Sequence, residues 1–187
     1  YNKALQLEKG YAQAFNNRAL VYQEMGRYPE AFNDYDHAIK VQPTFASAYY
    51  NRATLHLERR EIDLAITDFT KAVEIDPEMA DAFNNRGVAL REKGEHEKAF
   101  ADFNRALKIN RKFAEAYFNR GIIFYIHKQY NSALVNFTEA LNIKPAHINA
   151  RFNRGITFVA IGQNERAIED FKEVLRVDAN HIPARRN

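Results

Sequence analysis

The sequence predicts an all-α protein, a solenoid of antiparallel helix pairs. Three observations carry this. The tripeptide Asn-Arg-Ala or Asn-Arg-Gly recurs at residues 17–19, 51–53, 85–87, 119–121 and 153–155, 34 residues apart each time with no insertion. A fixed period of this length marks a row of stacked supersecondary units. Within each period the apolar and small residues fall at helical spacing. Gly or Pro then punctuates most periods at the two places where a helix pair must turn.

The units frame as 12–45, 46–79, 80–113, 114–147 and 148–181. Residues 1–11 match the end of a unit, with Ala4 in register with Ala38, and read as the second-helix remnant of a preceding repeat. Residues 182–187 align with 148–153 and read as the start of a further one. The expectation is therefore a piece of a longer protein. In the third unit Phe83, Gly87 and Leu90 define a first helix, Gly94 breaks it, and Ala99, Phe103, Ala106 and Leu107 define a second. Gly26, Gly94 and Gly162 occupy matching turns, where a positive φ suits glycine. Arg60 and Lys128 take that place in the other units, so those turns must close differently or under mild strain. Pro29 falls in the first turn of a second helix, where its missing N–H costs nothing. Pro43, Pro77 and Pro145 stop second helices, while Arg111 and Ala179 replace that proline.

Read as columns, these residues resemble the tetratricopeptide repeat (TPR) family. A large residue opens the first helix at Phe15, Tyr49, Phe83 and Tyr117, with Arg151 departing. A small one follows at Ala19, Ala53, Gly87, Gly121 and Gly155, then a large one at Tyr22, Leu90, Phe124 and Phe158, with His56 departing. The second helix carries Ala31, Ala65, Ala99, Ala133 and Ala167, then Tyr35, Phe69, Phe103, Phe137 and Phe171. Ala38, Ala72, Ala106 and Ala140 close it, with Val174 departing. Small residues let the paired helices approach and the aromatics fill the space between them. One hairpin cannot bury its apolar face alone, so neighbours share a core. The resemblance implies a right-handed superhelix whose first helices line a concave groove.

The family usually carries Leu where this chain has Arg18, Arg52, Arg86, Arg120 and Arg154. A companion column in the second helix reads Asp34, Asp68, Asp102, Asn136 and Asp170. Both columns face inward, which predicts a repeated ion pair between helices with each Arg stem lying on aromatics. Presentation of five cations to a nucleic acid or acidic peptide is the alternative.

Asn17, Asn51, Asn85, Asn119 and Asn153 recur without exception, although Asn is a poor helix-interior residue. The family's corresponding position faces the groove, and the pattern is similar to the asparagine ladder of O-linked N-acetylglucosamine transferase repeats. Two roles are open: bonding a peptide backbone, or bonding a neighbouring helix to fix the stacking. The groove is expected to be polar toward the N-terminus, with Asn16, Gln23, Glu24, Glu58, Asn84 and Arg91. Toward the C-terminus it is expected to be apolar, with Phe118, Ile122, Tyr125, Ile126, Phe152, Ile156 and Val159. Contiguous apolar surface marks a binding site. Packing against a further repeat is the alternative, above all for Phe152 and Val159. A clamp for chaperone C-terminal carboxylates is not expected. In this family it needs cations at columns that here hold Asn16, Leu20, Asn51, Asp81 and Asn85, and later frames offer no better set.

Composition excludes other classes. The chain has 187 residues, 46% apolar and 13% aromatic, no Cys and a formal net charge of +3. Without Cys there is no disulfide, thiolate zinc site or thiol nucleophile. No apolar run of about 18 residues spans a membrane. Charge spread along the whole chain argues against a nucleic-acid footprint. His37, His56, His96, His127, His147 and His181 form no HExxH pattern, and no phosphate-binding or nucleophile-elbow motif occurs. The sequence thus predicts a non-catalytic, cytoplasmic scaffold without cofactor or metal that binds a peptide segment of another protein. The alternatives are a substrate-recruiting or regulatory array of a larger enzyme, and a module that self-associates end to end.

Overall fold

A computed structural model describes residues 11–177, and the segments 1–10 and 178–187, with Ala179, His181 and the further-repeat start, lie outside it. The described residues form ten α-helices: α1 Ala12–Glu24, α2 Tyr28–Val41, α3 Ala46–Glu58, α4 Ile62–Ile75, α5 Ala80–Glu92, α6 His96–Ile109, α7 Ala114–Ile126, α8 Tyr130–Ile143, α9 Ile148–Ala160 and α10 Asn164–Val177. They divide after Ala99 into two compact units. In the first unit α1 packs on α2, α3 on α4, α2 on α3 and α4 on α5, and the first helices α1, α3 and α5 lie side by side. In the second unit α7 packs on α8, α8 on α9 and α9 on α10, with α7 beside α9. This is an all-α repeat array.

The aromatic and small columns make the core. Tyr35 and Phe69 in the first unit, and Phe103 and Phe137 in the second, are fully buried. So are Ala31, Ala65 and Ala133, which let each hairpin close tightly. At Gly121 the approach is closer still: a Cβ there would lie 2.7 Å from Phe137 Cε1, and one at Gly155 would lie 2.6 Å from Phe171 Cε1. Of the three departures, Val174 is a buried apolar side chain and the other two are polar. The His56 ring lies tilted against Phe32, centroids 4.6 Å apart, and its Nδ1 lies 2.6 Å from Glu61 Oε2. Arg151 donates from Nη2 to the Pro145 carbonyl at 2.9 Å.

All five intra-hairpin turns close in one way. The αL residue donates to the carbonyl three before it, and the next residue to the carbonyl five before it, the Schellman pattern. Gly26 N–H bonds Gln23 O at 2.9 Å and Arg27 N–H bonds Tyr22 O at 2.8 Å. Arg60 and Lys128 keep the same pattern at φ 63° and 57°, so these turns do not close differently but carry the strain. Pro43, Pro77 and Pro145 lie just past α2, α4 and α8, and Pro29 sits in the first turn of α2. The turn at Arg111, which lacks the proline, keeps the bond made across Pro77: Asn110 Oδ1 accepts from Lys112 N–H as Asp76 Oδ1 does from Glu78 N–H, both at 3.0 Å.

Candidate functional site

The arginine column emerges from the first helices to bond the second helices, and Arg52, Arg120 and Arg154 each reach two of them at once. Arg18 grips Asp34 with two bonds, Nε to Oδ2 at 2.5 Å and Nη2 to Oδ1 at 2.6 Å. Arg52 does the same to Asp68, at 2.6 and 2.7 Å, and Arg154 to Asp170, at 2.8 and 2.7 Å. Each guanidinium also lies against an aromatic ring, 5.4 Å from Tyr117 for Arg120 and 5.8 Å from Tyr49 for Arg52. Sequence reasoning missed the second half of the device. Arg52 Nη1 also bonds Asp36, Arg86 Nη1 bonds Thr70 at 3.2 Å, Arg120 Nη1 bonds Asn104 at 2.7 Å and Arg154 Nη1 bonds Thr138 at 3.3 Å. These acceptors sit on the preceding hairpin, so each of these arginines ties its own hairpin to the one before. The signal was present as a polar residue 16 positions before each Arg, mirroring the acid 16 positions after.

Arg120 is the electrostatic exception. Its Nε bonds Asn136 Oδ1 at 2.8 Å, and Asn136 Nδ2 turns to the Ser132 carbonyl at 2.8 Å, so no carboxylate of the described residues balances the charge. Burial therefore depresses the Arg120 pKa, with only Tyr117 opposing it. Burial also works against Arg52, but the bonds and charges of Asp68 and Asp36 outweigh it and hold that pKa above the ordinary value.

The asparagine column lies on the first-helix face, and its amides reach backward. Asn51 Nδ2 donates to Asn16 Oδ1 at 2.9 Å, and Asn85 Nδ2 to Tyr50 Oη at 3.1 Å, each one hairpin earlier. Asn17 Oδ1 accepts from Gln13 at 2.8 Å. Asn153 Nδ2 returns to the Asn149 carbonyl of its own helix at 2.8 Å, and among the described residues no donor meets its Oδ1. Asn119 is only 6% exposed, so of the five it offers a ligand least. Two residues expected on the polar half of the groove need correction. Asn16 and Asn84 are buried, at 3% and 5% exposure, on the two helices, α1 and α5, that α3 packs against. Gln23 remains at the surface and spans Tyr35 Oη and Glu58 Oε2, both at 3.0 Å.

In the second unit the first-helix face is apolar. Phe118 is half-buried, its ring 6.0 Å from Phe137 and 4.9 Å from His147. Phe152 is 5.7 Å from Phe171, and with Ile156 it packs on the Phe158 cluster. Tyr125 meets Tyr130 at 5.5 Å. Ile122 is half-buried, whereas Ile126 and Val159 stand out at 44% and 45% exposure. A cavity of about 260 Å³ between the ends of α9 and α10 is lined by Ile148, Arg151, Val174 and Val177 and shares no residue with this face.

His147 caps α9 through its side chain, Nδ1 accepting the Ala150 N–H at 3.2 Å. Burial holds its pKa below the ordinary histidine value; Glu115 opposes this and Lys144 adds to it. A protonated Nδ1 cannot accept, so the folded state favours the neutral ring. The unfolded state then binds more protons, and stability rises with pH between the depressed folded pKa and the unfolded value near 6.5. Thermal unfolding at pH 7.5 and 5.5 is expected to show a larger loss on acidification for the native protein than for His147→Asn, which caps without titrating. Equal losses would separate the cap from the pH response.

Side-by-side helical hairpins at a 34-residue pitch define a helical-repeat protein. The sequence matches the tetratricopeptide repeat over residues 12–45, 46–79, 114–147 and 148–181, and a TPR repeat over residues 87–126. The chain belongs to the tetratricopeptide repeat family. No curated protein matches it in sequence. Solved structures share the fold at low identity. YrrB, described as a TPR protein with an unusual peptide-binding site, is 24% identical with a TM-score of 0.78, covering 98% of this chain and 94% of that one. Pseudomonas aeruginosa PilF is 18% identical with a TM-score of 0.79, covering 92% and 86%. A chain of the Cut9–Hcn1 hetero-tetramer of the APC/C is 19% identical with a TM-score of 0.84, covering 98% of this chain but 36% of that one. Among the described residues no helix is long and apolar enough to cross a membrane.

Proposed function

We propose that this chain is a non-catalytic scaffold that holds a peptide segment of a partner protein along its first-helix face. The observation that carries the reading is the second unit's exposed apolar strip, in which Ile126 and Val159 stand at 44% and 45% exposure beside Ile122 and Ile156. Apolar groups aligned on adjacent helices, rather than scattered singly, are the mark of an interaction site. The Asn153 Oδ1 acceptor beside them suits a backbone N–H, a contact indifferent to the ligand's sequence. YrrB supports the reading, since a protein of the same fold is described as binding a peptide.

Ile122→Asp and Val159→Asp test it. Both put a charge on the strip without removing a fully buried side chain. Each is expected to weaken binding of the partner segment about tenfold or more, with far-UV circular dichroism and melting temperature near native. Unaltered affinity in both would rule this face out.

A further inference from the structure

We infer that the segment held on the α7/α9 strip is apolar and carries an acidic side chain at one flank, and that Lys128 receives that carboxylate. This rests on the peptide-binding reading above and specifies the partner's chemistry.

The apolar half follows from what the strip lacks. Ile122, Tyr125, Ile126, Ile156 and Val159 include no charge. The position that Ile126 holds is Glu24, Glu58 and Glu92 in the first unit, so acids occur there readily, and here an exposed isoleucine stands instead. A charged residue laid on this surface would lose water and gain no partner.

The acidic half follows from Lys128. It ends the same turn that glycine ends at Gly26, Gly94 and Gly162, at φ 57°. An L residue with a long side chain seldom adopts that conformation. The turn does not require it, because Lys128 N–H bonds Tyr125 O and Gln129 N–H bonds Phe124 O, both at 2.9 Å, as Gly162 and Gln163 do at 3.0 and 2.9 Å. The other strained residue, Arg60, has an internal use: its Nη1 lies 2.7 Å from Glu92. No acid among the described residues pairs with Lys128, which is exposed two residues beyond Ile126 at the end of the strip. Backbone strain kept where nothing in the fold uses the side chain points outward to a ligand. A single ammonium on an open turn suits a carboxylate side chain. Capture of a chain terminus draws on several converging donors.

The competing account is that the ammonium only complements the C-terminal carbonyls of α7. Lys128→Gly separates the two. The probe is a synthetic array of C-terminally amidated dodecapeptides with varied Leu, Ile and Phe cores, each made with Asp, Asn or Lys at the flanking position, titrated against the full chain by fluorescence anisotropy. Asp versions are expected to bind about two- to fivefold tighter than their Asn twins at low salt, with the preference fading toward about 0.5 M NaCl. Lys128→Gly should abolish the preference while the melting temperature holds or rises, and Lys128→Arg should keep it. If Asp and Asn peptides bind equally but Ile122→Asp abolishes both, the inference falls and the groove reading stands. Persistence of the Asp preference in Lys128→Gly also overturns it. If no peptide in the array shows Ile122-dependent binding, the groove reading falls with it.

Discussion

Replacing Phe137 with Ala is expected to remove about 3–5 kcal/mol of unfolding free energy. The ring is fully buried, and it rests on the α7 backbone at Gly121, where an added Cβ would come within 2.7 Å of Cε1 and 2.9 Å of Cδ1. Truncation would leave a void floored by main chain, which cannot collapse into it as side chains do. The contact also predicts a reversal of sign. Gly121→Ala alone overpacks the ring, costing about 1–3 kcal/mol, against a gain of about 1 kcal/mol in helix propensity. The first two hairpins hold Ala19 and Ala53 at this column, so the ring can give way and the net loss should sit at the low end. In the Phe137→Ala background the same methyl enters vacated space and should stabilise. Urea unfolding of the four proteins followed by circular dichroism measures the coupling. A Phe137→Ala loss below about 1.5 kcal/mol, or a Gly121→Ala effect of one sign in both backgrounds, would unseat the ring from α7.

The fold was legible because its determinants are local and repeated. A small residue opposite an aromatic, at the same offset in every period, leaves one way for the helices to pair, and the turn residues fall where the hairpins reverse. The turns at Arg60 and Lys128 were half legible: the missing glycine signalled strain, but that Schellman bonds would persist through it depended on the rest of the hairpin overriding a local preference. The face was harder to read. Whether a polar residue on it is exposed depends on how closely the adjacent helix lies, and nothing in one helix encodes that distance. Asn16 therefore reads as open in sequence, yet in the structure it is buried and bonded to Asn51, one hairpin on. The same limit hid Asp36, Thr70, Asn104 and Thr138, which matter only because a guanidinium from the next hairpin reaches back to them.

Arg52→Leu is expected to cost about 3–5 kcal/mol, the usual penalty for stranding one member of a buried pair. Its two carboxylates are unequal. Asp36, 62% exposed, would return to water at little cost, as exposed pairs are worth about 0–1 kcal/mol. The Asp68 side chain is 7% exposed and would keep only His56 Nε2, 3.9 Å away. The loss therefore belongs to Asp68, and Asp36→Ala should be nearly silent. Arg52→Leu with Asp68→Leu should recover most of the stability, because two apolar groups need no partner and the family resemblance already places Leu at the arginine column. The protein contains its own control. Arg120 faces Asn136 through Nε with no second oxygen for Nη2, and Asn136→Asp should gain a second charge-assisted bond but lose the Nδ2 bond to the Ser132 carbonyl, for a net gain below about 1 kcal/mol. If Arg52→Leu cost less than about 1 kcal/mol, or the double replacement were no better than the single one, the column would not be holding the two helices of each hairpin together. Its guanidinium groups would then be available for an acidic partner instead.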